Sequence, residues 1–388
     1  MSIAALYLHV PFCRARCAYC DFETRAYPAC DLEGAISAYL DRLERRIEHF
    51  GREGALEGVE TVYIGGGTPS LLGGRLVDLA ARVLSYCAPV EFTCEANPES
   101  FDAALAYGLA GAGVTRISLG VQSLQPGELR AIGRIHSREQ ALCAARSARN
   151  AGLAVSCDLM CGLPGQTVDT FRSSLWDLLA AGPDHVSVYP LQLEEGTALY
   201  RRVEDGSVAV PDEDCQADCM EAARSILMSY GYEPYEVASY ARPGHACRHN
   251  IAYWTGESYL GIGRAAAGML DAGEAREYLC IDVPQEAARV RYVQADDDGG
   301  LRDIEFMTAR EAAAEDLMLA FRMTCGASED LLRASVPAIP AALLEEACRR
   351  ACDLGLARWL PAGGRLVPTE LGWLEGNELF ELFWDLAE

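Results

Sequence analysis

The stretch LYLHVPFCRARCAYC, residues 6–20, runs from apolar, strand-forming residues straight into Cys13, Cys17 and Cys20 in a C-x3-C-x2-C spacing. Three thiolates on one short loop suit a metal centre, and a fourth cysteine would have closed a zinc or iron–sulfur site. With three, one position stays open. Three iron atoms of a [4Fe–4S] cluster could be held, leaving the fourth free to bind a small molecule. A zinc ion with His9 as fourth ligand, through H-x3-C-x3-C-x2-C, or a chance grouping in a chain of 16 cysteines, are the alternatives on spacing alone.

Five more β-rich runs follow: TVYIG (61–65), EFTCEA (91–96), TRISLGV (115–121), LAVSCDLM (153–160) and HVSVYPL (185–191). The stretches between them have helical periodicity, as in 32–50, where Leu32, Ile36, Tyr39, Leu40, Leu43, Ile47 and Phe50 share a face. Strands alternating with crossover helices make a parallel sheet, and its chemistry gathers at the carboxyl ends of the strands. The motifs fall there: the cysteines after the first run, GGGTP after the second, EANPE at the third, GVQS at the fourth and DLMCGLPGQT at the fifth. Residues 1–230 are thus expected to form a partial βα barrel. From 231 to 305 no clear period is seen, the expectation is a strand with structured loops, and the acidic VQADDDGGLRD (293–303) reads as a linker or a solvated surface loop. Helical stretches at 308–322 and 341–354, then two short strands around Ala362-Gly363-Gly364, predict a winged-helix-like domain over 306–388.

Composition limits the partners. With 33 Lys and Arg against 57 Asp and Glu, the net charge of −24 repels phosphate backbones and anionic lipid, so nucleic acid is not the expected partner and the wing is read as a structural cap. No run of eighteen apolar residues is present, so no membrane span is expected. The opening MSIAALYLHV does not read as a signal peptide, and cysteines in a long chain without one read as reduced thiols, which places the protein in the cytoplasm. The C-x3-C pairs Cys157/Cys161, Cys215/Cys219 and Cys348/Cys352 are expected to be buried free thiols.

IGGGTPS (64–70) lacks the Lys of a phosphate loop; it is either a plain tight turn or a place where bare backbone approaches a ligand. Taken with the cysteines, it resembles the radical S-adenosylmethionine superfamily. LYLHVPFCRARCAYCDF, YIGGGTPSLL, CEANPES, RISLGVQS, AIGRIHS, DLMCGLPGQT, EEGTALY and ARPGHACRHNIAYW together are similar to the family of oxygen-independent coproporphyrinogen dehydrogenase and its HemW-type relatives. That resemblance implies an incomplete parallel (β/α)6 barrel of radical-SAM type with a C-terminal helical, winged-helix-like domain. It implies that Cys13, Cys17 and Cys20 hold the cluster, that Tyr7 and Tyr19 flank S-adenosylmethionine, and that Gly66, Gly67 and Thr68 line its methionine end. Glu95, Gln122, Arg134 and Asp158 match further cofactor positions, and their types suit the task, although a lone polar residue at a strand end is often only a loop cap.

Two features separate the branches of this family. The dehydrogenases resemble C-x3-C-x2-C-x-C after a long N-terminal extension, whereas this chain has Phe22 at the extra cysteine's position and twelve residues before Cys13. The resemblance is therefore to the HemW-type branch, which implies a haem chaperone, with an acceptor protein and an electron donor such as flavodoxin or ferredoxin as partners. The alternative is radical decarboxylation of coproporphyrinogen III. His249 of HNIAYW is the implied haem contact, against the plainer possibility that it holds a loop. GIGRAAAGM (261–269) departs from the family's usual GxGPGAHS, gaining Arg264.

Overall fold

Runs of six to eight mainly apolar residues ended by turn formers become the strands, because a parallel sheet covered on its faces buries both sides of each strand. In the computed structural model, which describes residues 2–26, 29–361 and 364–388, these are β1 (Ala5–Val10), β2 (Thr61–Gly66), β3 (Glu91–Ala96), β4 (Arg116–Gln122), β5 (Ala154–Cys161) and β6 (His185–Pro190). Helices α1 (Ala29–Arg52), α2 (Gly74–Val83), α3 (Ala103–Ala112), α4 (Arg138–Asn150) and α5 (Val168–Ala180) connect them. The face expected of α1 is the one it buries: Ile36, Tyr39, Leu40, Leu43, Ile47 and Phe50 lie in the main core. Capping boxes at Ser137 and Thr167 satisfy orphan N–H groups and fix where α4 and α5 begin.

Neighbouring strands from β1 to β6 pair in parallel and in sequence order. The arc does not close, since β1 has β8 (Tyr259–Ile262) on its other side and β6 has β7 (Ser239–Ala241). This is the incomplete (β/α)6 barrel. Between β7 and β8 lies α7 (Arg248–Trp254), with α6 (Glu213–Ser229) before them. The sheet continues antiparallel beyond β8 through β9 (Ala267–Asp271), β10 (Ala287–Gln294) and β11 (Leu301–Thr308). Of the two readings of the acidic run, linker or solvated surface loop, the second holds: it is the turn of the β10–β11 hairpin, where the Asp296 carboxylate accepts from the N–H groups of Asp298 and Gly300 at 2.9 Å each. Its polarity belongs to a tight turn, not to a chain break between domains.

The C-terminal unit has a core of its own. It includes α8 (Ala309–Ala320), α9 (Ala341–Asp353), the hairpin β12 (Ala357–Leu360) and β13 (Arg365–Pro368), and α10 (Gly376–Trp384). Phe321 and Phe383 stack at 4.2 Å in its centre, beside Leu317, Leu344, Leu366 and Leu379. The strand at Ala327–Ser328 adds a third member to the hairpin, giving the wing-like arrangement; Ala362 and Gly363 at the tip lie outside the described residues.

One buried ion pair closes the barrel's amino-terminal floor. Glu91 and Arg116, each the first residue of its strand, meet at 3.2 Å with side chains 7% and 5% exposed. Glu91 also accepts from the N–H groups of Arg248 at 3.1 Å and His249 at 3.0 Å, capping α7, while Arg116 donates to the His245 carbonyl at 2.8 Å. The pair thus pins α7 to the amino-terminal ends of β3 and β4. Glu91→Ala would strand a buried guanidinium and uncap α7 together, so denaturant unfolding should show a loss of about 3–5 kcal/mol; a loss under 1 kcal/mol would show that water replaces the carboxylate at no cost.

Candidate functional site

All carboxyl ends of β1–β6 open on one mouth, and the loop after β1 lies over it. Cys13, Cys17 and Cys20 are half-buried and line a single cavity of about 390 Å³. Cys13 Sγ accepts from Thr68 Oγ1 and Cys17 Sγ from Arg134 Nη1, both at 3.6 Å. Burial pushes the Cys20 thiol up to about 11 and raises that of Cys13, so taking up a metal centre must expel protons. His9 is not placed to be a fourth ligand. Its Nδ1 meets the Tyr7 hydroxyl at 3.1 Å, its ring backs Gly66, and among the described residues no three His, Cys, Asp or Glu side chains converge as a single ion would need.

The glycine turn is shaped from within. The Gly67 N–H donates to the Val10 carbonyl at 2.8 Å, and a Cβ at Gly67 would sit 2.7 Å from the Phe12 carbonyl oxygen. Gly66 has φ +109°, and a Cβ there would strike the His9 ring. Only glycine lets the second strand's end slide under the cysteine loop. Glu95 fixes the turn from the third strand, accepting from Gly66 N–H at 2.9 Å and from the Tyr63 hydroxyl at 2.8 Å. Burial raises its carboxyl, and these two donors pull it back.

Further round the mouth, Arg134 bridges the elements: it donates to Asn97 Oδ1 at 2.8 Å and to the Gly120 carbonyl, while its Nε is buried without a partner. Gln122 reaches the cavity from a left-handed conformation, φ +63°, at a break in the β4–β5 register. Such strain is held where it re-aims a side chain. Asp158 accepts from Ser118 Oγ at 3.2 Å, and burial pushes its carboxyl up to about 7. Tyr19, Gly66, Gly67, Glu95, Gln122, Arg134 and Asp158 thus share the cavity with the cysteines, whereas Tyr7 and Thr68 stand behind it. Tyr7 stacks on Tyr63 at 6.2 Å, and Thr68 links Cys13 to Asn97. Tyr63, Asn97 and Ser118 were not singled out in the sequence; a polar side chain facing inward one or two residues from a strand's carboxyl end is the signal that marks Asn97.

His249 lies elsewhere. It is buried at the floor, its Nδ1 2.9 Å from Thr61 Oγ1 and its Nε2 3.0 Å from the Tyr253 hydroxyl, with the ring stacked on Tyr63 at 5.1 Å. Burial pushes its imidazole down to about 3, so it is neutral and both nitrogens are engaged. Ligating iron would require giving up one of these bonds. Arg264, the departure in GIGRAAAGM, pairs with Asp297 of the acidic turn at 3.1 Å, which also holds Arg42 at 3.1 Å. Of the paired cysteines, Cys157, Cys161, Cys219 and Cys348 are buried, Cys215 and Cys352 half-buried, and all six are free thiols.

Residues 7–176 match the Radical SAM superfamily. Over 399 aligned residues, 99% of this chain, the sequence is 34% identical to the Heme chaperone HemW of Escherichia coli K12 and covers 98% of that protein. The chain belongs to the HemW family. The Heme chaperone HemW of Mycobacterium tuberculosis H37Rv is 41% identical over 271 residues, 68% of this chain and 69% of that one. Among solved structures, the radical SAM enzyme coproporphyrinogen III oxidase (HemN) of Escherichia coli superposes with a TM-score of 0.79 at 20% identity, covering 98% of this chain and 90% of that one, which confirms the fold. As a radical SAM protein of the HemW family the chain uses a [4Fe–4S] cluster and S-adenosylmethionine. Three free thiols lining one cavity, the bare glycine turn beside them and the unpartnered Arg134 Nε fit both groups. No helix among the described residues is long and apolar enough to cross a membrane.

Two outcomes follow from this geometry. Cys17→Ala, purified and reconstituted without oxygen, should lose the visible iron–sulfur absorbance, and full iron content in that variant would remove Cys17 from the ligand set. Asp158 holds its proton to about pH 7 when folded but releases it near pH 4 when unfolded, so its contribution is favourable below about pH 4 and is lost as pH rises towards 7. Unfolding titrations of apo Asp158→Asn should accordingly show a smaller decline between those pH values than the parent; parallel curves would mean that Asp158 is ionised throughout.

Proposed function

We propose that the protein is a cytoplasmic haem chaperone, binding haem and passing it to an acceptor protein on a scaffold that holds a [4Fe–4S] cluster and S-adenosylmethionine. The observation that carries this reading is the 34% identity to Escherichia coli HemW across 98% of that protein. Phe22, where the dehydrogenases of the wider family place a further cysteine, agrees with it. Likeness to coproporphyrinogen III oxidase supports the fold alone, at 20% identity.

When bound, the cluster supplies one electron for reductive cleavage of the cofactor's sulfonium. The chain's own residues prepare the mouth for that chemistry. Cys13, Cys17 and Cys20 would hold iron, and Arg134, tied to Asn97 and Cys17 with Nε to spare, suits a carboxylate. Glu95 is committed to the glycine turn and to Tyr63, so its part is to hold backbone groups in position. Asp158, near half-protonation at neutral pH, can donate or accept towards a hydroxyl. Tyr19 and Met160 wall the cavity on the side where a second ligand would enter. A low-potential carrier such as flavodoxin or ferredoxin is the electron donor that this chemistry needs.

The reading separates from enzymatic porphyrinogen oxidation by a direct comparison. The anaerobically reconstituted protein should bind haem near stoichiometrically by difference absorbance, and should form no protoporphyrinogen from coproporphyrinogen III with S-adenosylmethionine and a reductant. Turnover that depends on S-adenosylmethionine and disappears in Cys13→Ala would replace the chaperone by the dehydrogenase.

A further inference from the structure

Between the barrel and the C-terminal unit runs a crevice of about 830 Å³ that begins at the cluster loop, with Tyr19 and Phe22, passes Tyr253 and Trp254 of α7, and ends at Trp373 and Phe380. Arg322 is the single cation among its lining residues. Its guanidinium is clamped between two rings, 4.7 Å from the centre of Trp254 and 5.1 Å from that of Phe380. Despite carboxylates along the same crevice, it forms no ion pair among the described residues, of which Glu236 alone acts on it electrostatically. Its Nε is buried without an acceptor, and so is the indole Nε1 of Trp254 beside it. The two buried donors find no acceptor within the protein, and the half-buried guanidinium that lines the crevice is left with a charge that an incoming carboxylate would complement.

We propose that Arg322, held by Trp254 and Phe380, binds one propionate of a haem whose flat ring lies against the aromatic walls of this crevice. The proposal rests on the haem-chaperone reading and adds to it where haem sits and what recognises its charge. It also separates the HNIAYW helix into two parts. His249 faces the floor, with both nitrogens engaged, while Tyr253 and Trp254 face the crevice. The other charged residues of the lining are acidic, namely Asp21, Glu194, Glu213, Glu236, Glu375 and Glu378. One propionate can meet Arg322 and a second can turn to solvent. Coproporphyrinogen, puckered and carrying four, would bring more negative charge against these carboxylates and stack poorly. The crevice therefore favours the flat dicarboxylate over the tetracarboxylate.

The test compares haem with haem dimethyl ester, which keeps the ring and iron but lacks both charges, on the reconstituted full chain. A charged hydrogen bond of this kind should make haem bind roughly ten- to a hundred-fold tighter than the ester. Arg322→Gln should bring the two affinities within about threefold, well inside the span of one such bond, with iron–sulfur absorbance unchanged as the check on folding. Arg322→Lys, keeping charge but not the planar fork, should retain part of the preference. A preference for haem that survives Arg322→Gln overturns the assignment. Equal binding of both by the unaltered protein overturns the propionate contact while leaving the chaperone reading in place, and binding of neither overturns both.

Discussion

Parallel pairing of six strands in sequence order is the constraint on which the rest depends. A parallel register sends every strand the same way, so each loop that follows a strand must emerge at the same end. Residues far apart in sequence then meet: Thr68 after β2 reaches Cys13 after β1, Glu95 at the end of β3 reaches back to Gly66, and Arg134 beyond β4 touches Cys17. None of these contacts survives a slip of one residue, because a slip turns each inward side chain outward. The arc stays open because β8 and β7 take the outer edges of β1 and β6, while α7 packs at the amino-terminal ends of the strands, where Glu91 and Thr61 hold it.

The sequence makes the strands visible because a strand buried on both faces is a near-continuous apolar run, and here each run stops at its motif. The six strand positions agree with the structure to within one residue at nearly every end. Other features leave no such trace. Helix α7 spans seven residues, less than two full turns, too few to display a helical period, so HNIAYW read as loop. The acidic run at 296–298 has the composition of a linker and the geometry of a hairpin turn, and composition cannot tell them apart. Nor does GVQS announce that Gln122 is left-handed, since that strain is imposed by the register break and not by the residue's own preference.

Which site residues touch the cavity was only partly legible for a related reason. Motif membership identifies a neighbourhood, whereas side-chain direction follows from pleat and twist. Tyr7 and Thr68 sit in the right motifs but one layer back, as supports for Tyr63 and Cys13. The glycines are required by the His9 ring and by the carbonyls of Val10 and Phe12, so their bareness serves the fold before it serves any ligand. Arg264 shows the converse. As a change in a motif it suggests an altered pocket, yet its partner is Asp297 in a turn far along the chain, and the two together with Arg42 make a local charge arrangement on the sheet's outer portion.

The floor and the mouth are joined by one short path. His249 stacks on Tyr63, the Tyr63 hydroxyl donates to Glu95, and Glu95 holds the Gly66 N–H. His249 is buried and the links from Tyr63 onward are half-buried along the cavity wall, so a shift of the helix that carries HNIAYW passes by direct contacts to the glycine turn at the cofactor's end. The same helix presents Tyr253 and Trp254 to the crevice beside the C-terminal unit. A ligand pressing on that face therefore acts on an element that is pinned by Glu91 at its first turn and wired through Tyr63 to the cluster side of the barrel. In this arrangement His249, with Thr61 on one ring nitrogen and Tyr253 on the other, ties the crevice-facing part of α7 to the start of the second strand.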